Sequence, residues 1–216
     1  SKEGSIYIKG GIYGKNVAHI EAKKNIYVKY CNECTLIAGE DINIGFYALD
    51  SVIKAQKVLF DPKYGKVIGG SVTAEVKVTA GVVGNKSEKK TIINVEGFDR
   101  NIIRKEFEVL LERYKELLQE ANTVKRQIEV FEYNLSGAEY ANMEEYNKCV
   151  DHYEGIVDEI KILDEARKKL QNTLQTKGEG EVGIFQSAYP ETFLEIKKMQ
   201  KKINSIVSGS FYAENR

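Results

Sequence analysis

The feature that most constrains the fold is a repeat of short apolar alternations over residues 1–97. Strand-like cores recur at spacings of 20, 16, 16 and 18 residues, at Ile6-x-Ile8, Ile26-x-Val28, Ile42-x-Ile44, Val58-x-Phe60 and Val76-x-Val78. A second set lies between them, at Ile20-x-Ala22, Leu36-x-Ala38, Val52-Ile53-x-Ala55 and Val72-x-Ala74. Alternation of this kind turns one face of each strand towards a core.

The length of this repeat selects an architecture. It is too long for the six-residue left-handed β-helix and too short for a propeller blade or a helical repeat, so we predict a parallel β-helix. The glycine pairs Gly10-Gly11 and Gly69-Gly70 are expected at its corners, where φ is positive. The alternative is an antiparallel sandwich, but the Asn-Gly and Asp-Gly hairpin signals are absent.

Residues 98–177 carry a different periodicity. Apolar residues alternate spacings of four and three at Ile103, Phe107, Leu110, Tyr114, Leu117, Ala121, Val124, Ile128, Phe131 and Leu135. After a break at Ser136-Gly137, a second series follows at Met143, Tyr146, Val150, Tyr153, Val157, Ile160, Leu163, Leu170 and Leu174. Heptads on two arms of similar length with a short connection predict an antiparallel coiled-coil hairpin. Pairing of each arm with another chain is the alternative.

The last segment, residues 178–216, returns to short apolar alternation. Val182-x-Ile184 and Phe193-Leu194-x-Ile196 are typical strands, followed by Ile206-Val207 and Phe211-Tyr212. We expect these strands to rejoin the β-helix, which makes the coiled coil an insertion. The predicted organisation is therefore a β-helix over residues 1–97, a hairpin over 98–177 and a returning β-segment over 178–216.

The composition excludes several function classes. Lys+Arg and Asp+Glu each number 32, and such a balance argues against a dedicated binder of nucleic acid or anionic membranes. No apolar run approaches the ~20 residues of a membrane span. Three cysteines are too few for a disulfide framework and indicate a reducing compartment. The sequence begins with Ser1 rather than methionine, which suggests a shortened chain.

The glycine and alanine spacing resembles a known family. The residues concerned are Gly69-Gly70-Ser71-Val72-Thr73-Ala74, Ala80-Gly81-Val82-Val83-Gly84, Thr91-x-Ile93-x-Val95-x-Gly97 and Ala188-Tyr189-Pro190. With the order of elements, this pattern is similar to the flagellar assembly protein A (FapA) family, over nearly the whole chain. The resemblance implies a right-handed β-helix with an inserted coiled coil, in a cytoplasmic bacterial protein of flagellar assembly or polar organisation.

The resemblance brings no catalytic residues and no cofactor. The resemblance also implies a separate N-terminal domain, which we do not expect within these 216 residues. Where the family usually has glycine after the Tyr-Pro pair, this chain has Glu191. The implied function is a non-enzymatic scaffold, which presents the coiled-coil arm to a protein partner.

Four residues are candidates for a zinc site. Cys31-x2-Cys34 has the spacing of two tetrahedral ligands or of a redox pair, and Cys149-x2-His152 could supply two more. The second pair lies on a predicted helix far along the chain, so we expect no metal. Cys31 and Cys34 are then small residues at a corner of the β-helix.

Two other functions remain as alternatives. A β-helix with unpaired ends could stack end to end into a bactofilin-like polymer. Asp41, Asp50 and Asp61 recur near the coil period, and stacked acids can serve a carbohydrate-active β-helix enzyme, although turn-forming aspartates explain them as well.

Partner binding is expected at the exposed tip of the hairpin. The candidate residues there are Ser136, Gly137, Glu139, Tyr140 and Asn142. Self-association through the end of the β-helix or through the coiled coil is a second expected contact.

Overall fold

The computed structural model describes residues 3–135 and 143–213. The chain divides into two compact units, one formed by Ser1–Arg100 with Thr176–Arg216 and the other by Asn101–Gln175. The first unit is a β-solenoid and the second is helical. This arrangement confirms the predicted fold class, a parallel β-helix interrupted by two inserted helices.

Eleven strands build the solenoid unit. They are β1 (Ile6–Ala22), β2 (Ile26–Ala38), β3 (Asp41–Leu49), β4 (Val52–Phe60), β5 (Lys66–Ile68), β6 (Ser71–Val83), β7 (Thr91–Val95), β8 (Glu181–Ala188), β9 (Thr192–Ile196), β10 (Met199–Ile203) and β11 (Val207–Tyr212). Two helices lie between β7 and β8, α1 (Arg100–Leu135) and α2 (Met143–Leu174).

Parallel pairing arranges the strands into three ladders, one on each side of about five turns. The first ladder joins Ile6, Ile26, Ile42, Val58, Val78 and Val182. The second joins Ile12, Cys31, Ala48, Val67, Val83 and Ala188. The third joins Ile20, Leu36, Ile53, Val72, Ile93 and Leu194.

The core of the solenoid is the space between these three ladders. Their side chains are nearly all completely buried, and Ile26, Leu36, Ile42, Ile53 and Val58 have no exposed surface. Each branched side chain taken out of water in this way contributes about 1.5–3 kcal/mol. Because identical or similar residues stack along each ladder, every turn repeats the packing of the one before it.

Two antiparallel strands cover the far end of the stack. β10 pairs with β9 at the end of the third ladder, and β11 pairs with β8 at the end of the first. Ile203 and Ala213 are buried there at 2% and 1% exposure. Because Val207 of β11 also pairs with Ala188 of the second ladder, these strands reach the ends of all three parallel ladders.

The helical insertion occupies a single corner of the solenoid. β7 is the last strand before it on the third ladder, and β8 resumes the first ladder directly after it. In earlier turns Lys23–Asn25 and Gly39–Glu40 close the same corner with two or three residues. The ladder register therefore continues across the insertion as if it were a short turn.

Hydrogen bonds join the segment that leaves the solenoid at this corner to the segment that returns to it. The Phe98 N–H donates to Glu179 O at 2.8 Å, and the Arg100 Nε donates to Gly178 O at 3.2 Å. The carboxylate of Glu179, which is 4% exposed, accepts from the Arg100 N–H and from Lys197 Nζ. Hydrogen bonding from Lys197 holds the pKa of Glu179 below its ordinary value.

In the helical unit, α1 and α2 pack side by side in antiparallel directions. Arg113 bonds Glu159 at 3.1 Å, and His152 lies 3.2 Å from Glu120, so positions late in one helix face positions early in the other. The apolar core contains Leu117, Ala121 and Val124 of the predicted series. Its buried residue on α2 is Ile156, which lies one position before the predicted Val157.

The structure corrects two predicted details of the solenoid. Gly10 and Gly11 lie inside β1 without positive φ, beside a register shift, rather than at a corner. Gly11 is glycine for another reason, because a Cβ there would lie 2.1 Å from the Tyr30 ring. In the fifth turn, Val78 rather than Val76 continues the first ladder.

Gly70 tests the corner geometry. Its φ is 70°, and a Cβ would lie 2.3 Å from Ser51 O, so Gly70→Ala should lower the free energy of unfolding by more than about 2 kcal/mol. Gly10→Ala is the matched control, since no atom lies within 4 Å and φ is not positive. It should leave stability unchanged or raise it by up to about 1 kcal/mol. Urea unfolding followed by circular dichroism measures both, and equal effects would contradict the assigned corner.

Glu179 makes the stability of the solenoid depend on pH. Because its pKa is lowered in the folded state, its charge stabilises that state above the unfolded pKa, and this contribution disappears as pH falls through the folded pKa. Glu179→Gln should therefore lower the melting temperature at neutral pH and have progressively less effect in acid. Glu75→Gln, on an exposed position of β6, should show no such trend. If the difference in melting temperature between the wild type and Glu179→Gln grew as the pH falls, this role of Glu179 would be refuted.

Candidate functional site

The predicted partner-binding residues lie outside the described part of the chain. Ser136, Gly137, Glu139, Tyr140 and Asn142 all fall between residues 135 and 143. The tip therefore stays a prediction, and the described residues nearest to it in sequence are those at the end of α1 and the start of α2.

A groove runs between the last part of α1 and the first turns of α2. Its volume is about 710 Å³, and it is lined by Thr123, Arg126, Gln127, Val130, Phe131, Glu145, Lys148 and Cys149. The packed core of the hairpin adjoins the groove, since the lining residue Cys149 packs against the cluster that contains Leu117, Val124 and Ile156.

The lining combines an apolar surface with charge. Val130 is 60% exposed although it is a β-branched apolar residue on a helix, and Phe131 is partly buried beside it. Arg126 and Lys148 contribute two positive charges and Glu145 one negative charge. Near the same end, Tyr146 OH donates to Glu132 at 3.2 Å, which raises the pKa of Tyr146 and ties the helices together. Apolar surface flanked by charge is typical of protein-binding grooves.

A second exposed surface lies on the first three turns of the solenoid. The rings of Tyr7 and Tyr27 stack with centroids 4.6 Å apart, and those of Tyr30 and Tyr47 stack at 5.1 Å. Our sequence interpretation missed this surface. The signal was present, because Tyr7 and Tyr27 are the outward residues between Ile6 and Ile8 and between Ile26 and Val28.

Cys31 and Cys34 form a buried pair inside the solenoid. Cys31 lies on the second ladder and has no exposed surface, and Cys34 is 3% exposed. Between them, Glu33 has a positive φ of 50°. Cys34 Sγ lies 3.8 Å from Ser51 Oγ, which in turn donates to Leu49 O at 2.8 Å. The hydrogen bond from Cys31 lowers the pKa of Cys34 to about 7 and raises that of Cys31.

The four candidate zinc ligands are divided between the two units. Cys31 and Cys34 belong to the solenoid unit, whereas Cys149 and His152 lie on α2. His152 faces Glu120 across the hairpin at 3.2 Å. Within residues 3–135 and 143–213, no three His, Cys, Asp or Glu side chains are grouped as a metal site requires.

The recurring aspartates have structural contacts. Asp61 accepts the N–H groups of Lys63 and Tyr64 at 2.8 and 2.7 Å, the pattern of a turn-forming aspartate. Asp50 pairs with Lys89, and the Asp41 N–H donates to Asn25 Oδ1 at 2.9 Å. None of the helices in the described residues combines the length and the apolar character that crossing a membrane requires.

The cysteine environments predict a selective reaction with thiol reagents. Cys149 is half-buried at the groove, while Cys31 and Cys34 are enclosed by the ladders. A maleimide should therefore modify Cys149 in the native protein and all three cysteines after unfolding, as counted by mass spectrometry. Cys149→Ser is the control and should abolish native labelling. Rapid native labelling of that variant would show that the solenoid opens around Cys34.

Comparison with known proteins agrees with this architecture. No curated protein and no solved structure gives a significant match to the chain. A family match covers residues 1–216, and the family is described as the Flagellar Assembly Protein A beta solenoid domain. At Glu191, where the resemblance leads us to expect glycine, φ is 59°, so the backbone keeps the left-handed conformation that glycine favours. Since the chain folds as a β-solenoid and the family match covers residues 1–216, the chain belongs to the FapA β-solenoid family.

Proposed function

We propose that this protein is a non-enzymatic scaffold of flagellar assembly or polar organisation in the bacterial cytoplasm, and that its helical hairpin binds a protein partner. Family membership indicates a protein related to flagellar assembly. The observation that carries the finer proposal is the groove between α1 and α2, where apolar surface stays exposed beside the predicted tip.

The solenoid suits the role of a scaffold. Its ladders run in register through Val78 to Val182, so strands on both sides of the insertion share one core. Arg100 and Glu179 tie together the chain segments that lead out and back. A long insertion at such a corner adds a binding element without interrupting the core.

The groove suits an amphipathic helix of the partner. Val130 and Phe131 offer an apolar surface that a helix can cover with residues at positions i, i+3 and i+4. Arg126 and Lys148 outweigh Glu145, so the lining carries a net positive charge. This charge favours a partner helix with acidic residues beside its apolar face. The predicted tip residues, Ser136 to Asn142, would extend this contact.

The two alternatives receive less support. A polymer that grows end to end needs unpaired strand edges at both ends, but β10 and β11 cover one end with antiparallel strands. A carbohydrate-active enzyme needs paired carboxylates in a cleft, but Asp50 is paired with Lys89 and Asp61 is bonded to its own turn.

A pair of matched substitutions tests the groove. Val130 and Val109 are both exposed valines of α1, at 60% and 68%, but only Val130 lines the groove. Val130→Glu should weaken capture of a partner from the source cells by about tenfold or more, because a charge enters the contact. Val109→Glu should leave capture unchanged, and circular dichroism should show equal helix content in both variants.

Replacement of residues 101–175 by a short Gly/Ser linker is the complementary test. Provided that the β-structure persists, capture should be lost. Retention of the partner by this variant, or equal loss in both valine variants, would refute binding through the groove.

A further inference from the structure

The corner between the second and third ladders brings two cysteines together inside the solenoid. Along a regular strand, side chains three residues apart point to opposite faces. Cys31 and Cys34 are nevertheless both in the core, at 0% and 3% exposure, because Glu33 between them has a φ of 50° and turns the chain. The corner therefore holds two thiols on the same, inner side of β2.

The following turn shows that the fold itself sets this geometry. Ala48 pairs with Cys31 along the second ladder, and Asp50, two residues further on, has a φ of 46°. Ser51 then follows Asp50 as Cys34 follows Glu33, and it is 2% exposed. Each of these corners therefore places two small inward side chains next to each other, and the second turn of the solenoid has a cysteine at both positions.

The two thiols are in direct contact. The Cys31 S–H donates a hydrogen bond to the sulfur of Cys34, which lowers the pKa of Cys34 and raises that of Cys31. Ser51 Oγ lies 3.8 Å from the Cys34 sulfur and accepts the Cys34 N–H at 3.3 Å. The pair thus combines one sulfur that is prepared to act as a nucleophile with a protonated thiol beside it.

We propose that Cys31 and Cys34 form a redox-sensitive site, at which hydrogen peroxide converts the two thiols into a disulfide. The Cys34 thiolate attacks one oxygen of the peroxide, the O–O bond breaks, and the leaving hydroxide takes up a proton to become water. Cys34 is then a sulfenic acid. The Cys31 sulfur attacks the Cys34 sulfur, and the hydroxyl group leaves with the Cys31 proton as a second water. The two cysteines lose two electrons, which the peroxide accepts.

Burial selects both the oxidant and the product. Cys34 is 3% exposed next to the half-buried Glu33, so a molecule little larger than water can reach its sulfur, whereas a bulky disulfide such as oxidised glutathione cannot. Cys31 has no exposed surface, so it reacts with the Cys34 sulfenic acid and not with the solvent. This inference concerns the solenoid unit and does not rest on partner binding by the hairpin.

Peroxide treatment of the folded Cys149→Ser chain, which has no other cysteine than the pair, tests the proposal. We expect the intact mass to fall by two hydrogens, and dithiothreitol should restore both thiols. Cys31→Ser in the same background is the matched control, because it removes the second thiol. Its Cys34 should gain one oxygen instead, and dimedone, which reacts with sulfenic acids, should trap it.

The different roles of the two cysteines are tested by the opposite variant. Cys34→Ser leaves only the enclosed thiol, so Cys31 should be oxidised at least about tenfold more slowly than Cys34 in Cys31→Ser. If a serine variant fails to fold, peroxide treatment of the wild type in the presence of dimedone gives the same assignment. Digestion and mass spectrometry should then locate dimedone in the solenoid on Cys34 and not on Cys31.

Three results would overturn the proposal. They are an unchanged mass of the Cys149→Ser chain at peroxide concentrations that oxidise Cys149 in the wild type, gain of oxygen without a disulfide, and trapping of the sulfenic acid on Cys31. The first two would show that the pair only fills the core at this corner. Partner capture by the hairpin is measured separately, so each of these results leaves the proposed function unchanged.

Discussion

Register along the parallel ladders is the constraint on which the rest of the structure depends. A slip of one residue in any turn would move its whole apolar set from the core to the surface. The stacks from Ile6 to Val182, Ile12 to Ala188 and Ile20 to Leu194 each keep an apolar residue at every level. Every other feature, including the corners, the buried cysteines and the site of the insertion, is positioned by these three rows.

The ladders also explain where variation is tolerated. The corners between strands are not part of the three ladders, so their length can vary. One corner is formed by two residues, whereas another contains a whole helical hairpin. Where the chain leaves and returns, Arg100, Glu179 and Lys197 form hydrogen bonds that satisfy the polar groups exposed by the long insertion. The hairpin can therefore carry a groove whose lining residues contribute nothing to the solenoid core.

Much of the solenoid could be predicted from the sequence, because apolar alternation and its period are local and repetitive. The strands around Ile26, Ile42 and Val58 were visible for that reason. In the fifth turn, the sequence pattern aligns Val76 with Val58, two residues before the residue that pairs with it. Val76 and Val78 both fit the apolar alternation, and only the observed pairing of Val58 with Val78 decides between them. Gly10 and Gly11 were misplaced because the demand on Gly11 comes from the Tyr30 ring, a contact between turns.

The binding surfaces were less predictable. The groove depends on where the two helices pack tightly and where they do not. Heptad spacing alone does not specify this, as the burial of Ile156 in place of Val157 illustrates. The aromatic stacks follow from register, because Tyr7 and Tyr27 are paired residues that lie between core positions of neighbouring strands. The antiparallel cover by β10 and β11 has no repeat signal. β10 is short and mostly polar, and the apolar residues at the two ends of β11 indicate a strand but not the strand with which it pairs.

The position of the insertion has a consequence for the order in which the chain acquires structure. Turns up to β7 form from segments close in sequence, but β8 has to pair with β6 across the whole hairpin. Closing so long a loop is entropically costly unless its ends are already near each other. An antiparallel pair of helices brings the two ends of the insertion near each other, so a folded hairpin lowers the entropic cost of adding the last turn of the solenoid.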